Sequence, residues 1–413
     1  MPERLYDVVI FGATGFAGRL VARYLAHRRP RPGVRWAIAG RDPKKLRELA
    51  RELARELEEP EPPILVADSH DPVSLEAMAA QTTVICTTVG PYAHHGAPLV
   101  AAAVAQGTHT CDLTGEPQFV RRMIDAHHAE AEARGVRIVH CCGFDSVPSD
   151  LGVWVLQQAA RERLGAPCLR IEMVVEAIRG GFSGGTLTSL GNVLTEAKDP
   201  QTRRILGDPY ALAPGAPRGP DRGLQVGVRY SEAAGAWTAP FMMAGINERV
   251  VRRSHALLGL PWGEGFSYHE SMRAGPGLRG RIRAGTLAVG LGLISVAMGT
   301  PPVRRVLQAT VLPAQGQGPS EASIEAGFFK IHLYGWLEPG SGERIEVVVR
   351  GRRDPGYGAT ACMLAESALC LATDPLPERA GVLTPATAMG GALVARLDAT
   401  DVQFEVLDAP TQG

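Results

Sequence analysis

Short apolar runs alternate with amphipathic stretches through the first 150 residues. The runs fall at 7–11, 35–39, 64–67, 83–88, 109–113 and 137–141. Helical periodicity fills the gaps, most clearly over Pro43–Leu57, PKKLRELARELAREL, where Leu46, Leu49, Leu53 and Leu57 share one face. Asp42 supplies an N-cap for that helix and Pro43 suits its first position. Strands that read as apolar on both faces, joined through helices, predict an α/β fold built on a doubly wound parallel sheet.

After Leu151 the pattern loosens. A helix is expected at 150–163 and a strand at 171–177. A glycine-rich turn, RGGFSGGTLTSLG, follows, and a proline- and glycine-rich loop covers 207–223. Strands are expected at 327–336 and 345–349. This divides the chain into a first domain over 1–150, a second mixed α/β domain over 151–350, and a C-terminal segment over 351–413. The last holds helix patterns at 359–372 and 386–397 and a strand-like VQFEVL, all expected to pack back onto the first domain. Residues 284–300, AGTLAVGLGLISVAMGT, carry no charge and four glycines. They read first as a helix buried at a domain or subunit interface, because about 20 apolar residues are usual for a membrane span. Shallow contact with a lipid surface is the alternative.

The chain of 413 residues is long enough for two domains, and 45% hydrophobic against 21% charged residues places it among folded proteins. Lys plus Arg, 43, equals Asp plus Glu, 43, so no overall field favours nucleic acid or an anionic membrane. Seven cysteines without a Cys-x-x-Cys spacing indicate neither a disulfide framework nor a zinc site. His94-His95, His127-His128 and His140 beside Cys141 and Cys142 do not alter this, since adjacent residues diverge on a strand or a helix. No metal is expected. The opening MPERLYDVVIFG has no apolar core long enough for a signal peptide, which points to the cytoplasm.

The chemistry begins at Phe11 to Leu20, FGATGFAGRL. Gly12, Gly15 and Gly18 lie between the first strand and the first helix, the arrangement that brings a diphosphate to a helix N-terminus. The second strand ends in Gly40-Arg41, with Lys44 and Lys45 one turn on. Arg41 can grip a ribose 2′-phosphate where an acidic residue would repel it, so NADP(H) is expected over NAD(H). Later loops fall at the carboxyl ends of strands, where ligands of such sheets bind. Asp68 and Ser69 would border the adenine. Thr88, Gly90, Pro91 and Tyr92 would lie beside the cofactor. Asp145 and Ser146 precede a helix expected to be capped around Ser149. Capping and packing roles compete at Asp68, Tyr92, Asp145 and Ser146.

GATGFAG, TVGPY, CDLTGE, CGFDSVPSDLG, the SGGT turn, DPGYGATACM and GVLTPATAMG together resemble the saccharopine dehydrogenase-like oxidoreductases, nearest the bacterial branch with the mycobacterial trans-acting enoyl reductases. The resemblance implies a Rossmann domain completed by C-terminal helices, a substrate domain between them, NADP(H) and hydride transfer. It places Gly12, Thr14, Gly15, Phe16 and Gly18 around the diphosphate, Arg41 on the 2′-phosphate, and Thr88 to Pro91 near the nicotinamide ribose. Asp112, Thr114, Gly115, Glu116, Asp145 and Ser146 would sit at the cleft floor. The turn from Ser183 to Thr186 would bind an anionic group of the substrate.

For an enoyl thioester, negative charge develops on the thioester oxygen, and Tyr92 could donate a hydrogen bond or a proton. Asp145 is the other candidate, through water or ribose. Three readings stand at this stage. One is a reductase of an unsaturated lipid- or polyketide-type acyl substrate, free or on a carrier protein. Another is an amino-acid dehydrogenase of the saccharopine reductase type. The third is a non-catalytic NADP-binding protein that works as a lipid-surface or complex subunit. Arg179 alone is basic near the SGGT turn, which weighs against an amino dicarboxylate. A homo-oligomer is expected.

Overall fold

A computed structural model describes residues 4–28, 33–180, 191–300, 302–303, 318–338, 340 and 343–408. The turn from Ser183 to Thr186 lies outside the described residues. Six strands come from the first 150 residues: β1 (Tyr6–Phe11), β2 (Trp36–Gly40), β3 (Ile64–Val66), β4 (Thr82–Thr87), β5 (His109–Asp112) and β6 (Arg137–Val139). Between them run α1 (Phe16–Arg28), α2 (Pro43–Leu57), α3 (Pro72–Ala80), α4 (Tyr92–Gln106) and α5 (Pro117–Ala133). The second half supplies β7 (Arg170–Arg179), β8 (Arg229–Ser231), β9 (Ala236–Pro240), β10 (Ser267–Gly275), β11 (Phe328–Trp336) and β12 (Arg344–Gly351). β13 (Gly381–Leu383) and β14 (Val402–Leu407) follow.

One seven-stranded sheet has the order β13-β6-β5-β4-β1-β2-β3, with every pairing parallel. β1 explains why both faces must be covered. Val8 and Ile10 enter one buried cluster with Leu25 and Leu46, while Val9 and Phe11 enter another with Leu75 and Leu99. Alternate side chains of a strand point to opposite faces, so helices are needed on both. α2 matches its expected span, with Leu46, Leu49 and Leu53 buried and Leu57 at the rim. Asp42 caps it through hydrogen bonds from the Lys44 and Lys45 amides at 2.9 and 3.1 Å.

The second sheet, β14-β12-β11-β7-β10-β9-β8, is mixed, parallel between β7 and β10 and antiparallel elsewhere. α6 (Val147–Leu164) leaves the parallel sheet after β6 and packs against β11, β12 and β14. One hydrophobic cluster therefore runs from Val8 through Leu156 to Val349 and ties the two sheets together. α7 (Pro200–Gly207) and α8 (Ala244–Leu257) follow, and α8 packs against α6 and β10.

Three expectations change. VQFEVL forms β14 and pairs with β12 in the second sheet, not the first. The C-terminal part does return to the parallel sheet through β13, which pairs with β6, and through the helix Thr360–Thr373, which packs on α1, β1 and β4. Residues 284–299 belong to α9 (Gly277–Gly299), where only Gly280, Ala284 and Met298 are buried, so the described residues of this chain do not enclose the helix, which leaves a subunit interface or a lipid surface. α6 begins at Val147, which puts Ser149 inside it as a buried residue whose hydroxyl reaches the Met173 sulfur at 3.6 Å.

Candidate active site

Chain winding reverses between β1 and β4, and the crevice at their carboxyl ends receives the glycine-rich loop. The Gly12 amide bonds the Ala39 carbonyl at the end of β2 at 2.9 Å, and Gly12 adopts φ +88°. A Cβ there would strike the Val89 and Thr88 side chains at 2.8 and 2.9 Å. At Gly18 a Cβ would lie 2.2 Å from the Gly12 carbonyl oxygen, so helix and turn approach only because that residue is glycine. Gly15 is different. It is exposed, and the one atom near its missing Cβ is the Gly12 oxygen at 3.3 Å. Its open side leads to the first turn of α1, whose amides have no partners within the helix. Thr14 stands beside Gly40, and the Phe16 ring turns away, edge-on to Tyr357 at 4.7 Å. Thr88 closes the crevice from β4: its amide bonds the Phe11 carbonyl at 2.9 Å and its hydroxyl donates to the Gly12 carbonyl at 3.3 Å. Gly90 and Pro91 lie on the exposed side of the same loop.

At the outer end of β2, Arg41, Lys44 and Lys45 are exposed, and Arg41 has no ion-pair partner among the described residues. His95 stands nearby, with His70 edge-on to it at 4.9 Å. Burial holds the His95 pKa below the ordinary histidine value, and the charges of His70, His94 and Arg41 lower it further. The pair adds flat aromatic surface to a basic site. Asp68 shapes its loop by accepting the His70 amide at 3.0 Å, and Ser69 is buried beside it. Among the described residues no group of three or more His, Cys, Asp or Glu side chains is placed to hold a metal.

The residues expected at the cleft floor separate into two sets. The first is buried scaffolding. Asp112 pairs with His140 at 2.5 Å and accepts the Thr114 amide at 3.0 Å, while His140 packs on the Phe119 ring. Glu116 is fully buried and accepts the Tyr92 and Ala93 amides at 3.1 and 2.9 Å, capping the start of α4. Tyr92 is buried as well. Its hydroxyl donates to the Thr87 carbonyl at 3.1 Å and accepts the Leu113 amide at 3.2 Å. Burial, then the Asp112 charge, pushes its pKa well above the ordinary tyrosine value. This phenol is fully engaged and holds no free proton toward the crevice.

Asp145 is the second set. It lies in the turn between β6 and α6, half-buried, with a carboxylate oxygen facing Gly115, where a Cβ would come within 3.4 Å. No described residue gives it a hydrogen bond or an ion pair. Burial alone raises its pKa from 3.8 to about 7. Ser146, fully buried next to it, donates to the Asn247 side-chain oxygen at 3.0 Å. Asn247 in turn donates to Glu270 at 2.9 Å, and Tyr268 donates to the other Glu270 oxygen at 2.7 Å. Burial raises Glu270 to about 7. The Glu270 amide bonds Glu248, which pairs with Arg252 at 3.0 Å, and Arg252 pairs with Asp221 at 2.8 Å. Periodicity missed α8 and β10, which carry this network; the polar runs INER and SYHES were the available signal.

C-terminal segments brace both loops. The Thr360 hydroxyl accepts the Phe144 amide at 3.0 Å and donates to the Pro355 carbonyl at 2.7 Å. Asp150 in α6 accepts the Ser254 hydroxyl at 2.5 Å and the Ala386 amide at 2.8 Å.

The site therefore sits on a doubly wound sheet with a glycine-rich loop of the dinucleotide-binding kind, continued into a second mixed sheet. No family model matches the chain. It is 44% identical to a putative trans-acting enoyl reductase of Mycobacterium tuberculosis, over 97% of each chain. Identity is 39% to the trans-acting enoyl reductase of Mycobacterium bovis and 38% to that of Mycobacterium ulcerans, again over 97% of both chains. The fold resembles apo saccharopine dehydrogenase (L-Glu forming) of Saccharomyces cerevisiae. The TM-score is 0.51 and the identity 12%, over 97% of this chain and 99% of that one. The chain belongs to the trans-acting enoyl reductase family. Its oxidoreductase chemistry and its dinucleotide-binding fold call for a nicotinamide cofactor.

Proposed function

We propose that the protein reduces the 2,3-double bond of an acyl thioester with NADPH, the acyl chain being carried on coenzyme A or a carrier protein. The observation behind this reading is the 44% identity, over nearly full length, to a protein named for enoyl reduction. Gly12, Gly15, Gly18 and Thr14 would hold the diphosphate, and Thr88, Gly90 and Pro91 the nicotinamide ribose. Arg41, with Lys44 and Lys45, would take the 2′-phosphate, Asp68 and Ser69 bordering the adenine. When bound, the nicotinamide supplies a hydride to C3 of the acyl chain.

The protein must then place a proton on C2 and temper the negative charge on the thioester oxygen. We assign the proton to the Asp145 carboxyl, which has no competing partner and a pKa near neutrality. Ser146 positions the turn through Asn247. Tyr92 is a positioning residue, bridging β4 to the loop after β5.

An amino dicarboxylate would need spare buried cations. Arg249, Arg252 and Arg253 are buried: Arg252 is paired with Asp221 and Glu248, while Arg249 donates to the Asp208 carbonyl and Arg253 to the Leu212 carbonyl, the Arg253 Nε alone being left without a partner among the described residues. This favours the acyl substrate over the amino-acid one. NADPH consumption on 2-enoyl thioesters of increasing chain length, against 2-oxo acids with amines, tests the reading. Turnover on the thioesters supports it, and turnover only on the 2-oxo acid pairs replaces it with a saccharopine-type reaction. NADPH binding without turnover on either set, with carrier-bound thioesters included, leaves the non-catalytic subunit.

A further inference from the structure

α9 stands out on the surface. Leu278, Ile282, Val289, Leu293 and Val296 recur at helical spacing along one stripe, and each is 61–71% exposed. The helix is held at its ends. Gly280 sits so close to Gly275 that a Cβ would fall 1.8 Å from its carbonyl oxygen, Ala284 packs with Ala239 and Ala274, and Gly299 abuts Leu194. Between these points Val289, Leu293 and Val296 are exposed.

Charge says what this stripe meets. Residues 271–320 contain six arginines and no Asp or Glu, in a chain of zero net charge. Three of the six, Arg279, Arg281 and Arg283, lie in the first two turns of α9. Arg279 and Arg283 have no acidic partner among the described residues. Arg281 stacks over Trp237 at 5.3 Å, and Tyr230, 51% exposed, lies edge-on to the same ring at 5.5 Å. An apolar stripe, cations at one end and an aromatic pair beside them form the pattern of a helix lying in a bilayer interface. A second copy of this chain offers no carboxylate from this region to meet the arginines. Length decides between lying and spanning: Ala284 to Gly299 is uncharged and about 24 Å long at 1.5 Å per residue, short of the roughly 30 Å hydrocarbon core.

We propose that α9 docks the protein on the surface of an anionic phospholipid bilayer, the apolar stripe entering the acyl boundary and Arg279, Arg281 and Arg283 lying among the headgroups. This goes beyond the reductase reading and does not depend on turnover.

Co-sedimentation of the full chain with vesicles tests it. One set is phosphatidylglycerol mixed with phosphatidylcholine, the other phosphatidylcholine alone. Each headgroup arginine contributes roughly a fivefold gain in partitioning. Wild type is expected to bind the anionic vesicles at least about 25-fold more tightly and to be released by high salt. Arg279→Glu with Arg283→Glu is expected to lose about 25-fold or more, and Val289→Asp with Leu293→Asp to remove binding. All four positions are exposed, so the melting temperatures should hold. Equal binding to both vesicle types, no binding to either, or binding unchanged in both double variants overturns the proposal. So does a wild-type dimer, unbound to vesicles, that Val289→Asp with Leu293→Asp converts to monomer. Vesicle binding is read without substrate, so failure here leaves the reductase reading intact, and failure of turnover leaves this one.

Discussion

Replacing Asp145 by asparagine keeps the shape of the side chain and removes its proton and charge. Burial raises the Asp145 pKa from 3.8 to about 7. At about 1.36 kcal/mol per pH unit, ionising it in the folded protein costs roughly 4 kcal/mol more than in the unfolded chain, and solvent at its half-open edge trims this to about 2–4 kcal/mol. Between pH 4 and 7 the folded state holds a proton that the unfolded state has lost, so this residue's contribution to stability falls as pH rises through that window. Asp145→Asn abolishes the loss. Above pH 7 the variant should melt a few degrees higher than wild type, at about 1 °C per kcal/mol for a chain of this length, and below pH 4 the two should coincide. Activity should move the other way. Wild-type kcat/KM on an enoyl thioester should fall tenfold per pH unit above about 7, as the donor ionises. In the variant kcat/KM should drop by about 10²–10⁴ and lose that limb, with NADPH affinity unchanged. Stopped assays from pH 5 to 9 with calorimetry on the same samples read both. A variant that turns over at the wild-type rate, or keeps the limb near 7, refutes the assignment.

Arg41→Ala should weaken NADPH binding by about 10–100-fold while leaving NADH nearly unchanged, the loss of one charge-assisted contact, read by fluorescence titration. An unchanged preference for NADPH would dispose of Arg41 as the 2′-phosphate ligand. Gly18→Ala drives a Cβ into the Gly12 oxygen from 2.2 Å, so nucleotide binding should disappear and the melting temperature should fall. Tyr92→Phe strands the buried Leu113 amide and Thr87 carbonyl and should cost about 1–3 kcal/mol in chemical denaturation, yet leave kcat/KM within about threefold of wild type. A much larger loss of rate would return Tyr92 to the chemistry.

How far the sequence spoke depended on whether hydrophobicity or polarity did the folding. The parallel sheet was readable because its strands are apolar on both faces, and α2 because its leucines keep helical spacing. The glycine loop was readable because φ +88° at Gly12 and the close approach at Gly18 admit little else. α8 was not. Asn247, Glu248, Arg249, Arg252, Arg253 and Ser254 are all buried, held by β10, by Asp150 and by loop carbonyls such as those of Asp208 and Leu212, so its interior looks like a surface. Buried polar networks carry no hydrophobic period, and with α8 went Asn247 and Glu270. Two residues expected at the cleft turn their side chains elsewhere. Tyr92 stands one residue past the crevice loop and points under it, and Glu116 turns back to cap α4. Side-chain direction at a loop–helix junction depends on contacts from distant segments, here Leu113 for Tyr92 and α4 for Glu116. VQFEVL read as a strand, but its partner, β12, was set by the path of the chain around α6.

The most direct test follows hydrogen. The protein is mixed with a 2-enoyl thioester and NADPH deuterated at the transferable C4 position, in ordinary water, and the product is read by mass spectrometry and NMR. The account predicts one deuterium at C3 of a saturated acyl chain and a solvent proton at C2, with the rate of that addition collapsing in Asp145→Asn. Deuterium absent from the thioester, and found instead on the former carbonyl carbon when a 2-oxo acid and an amine are added to the same mixture, would contradict it.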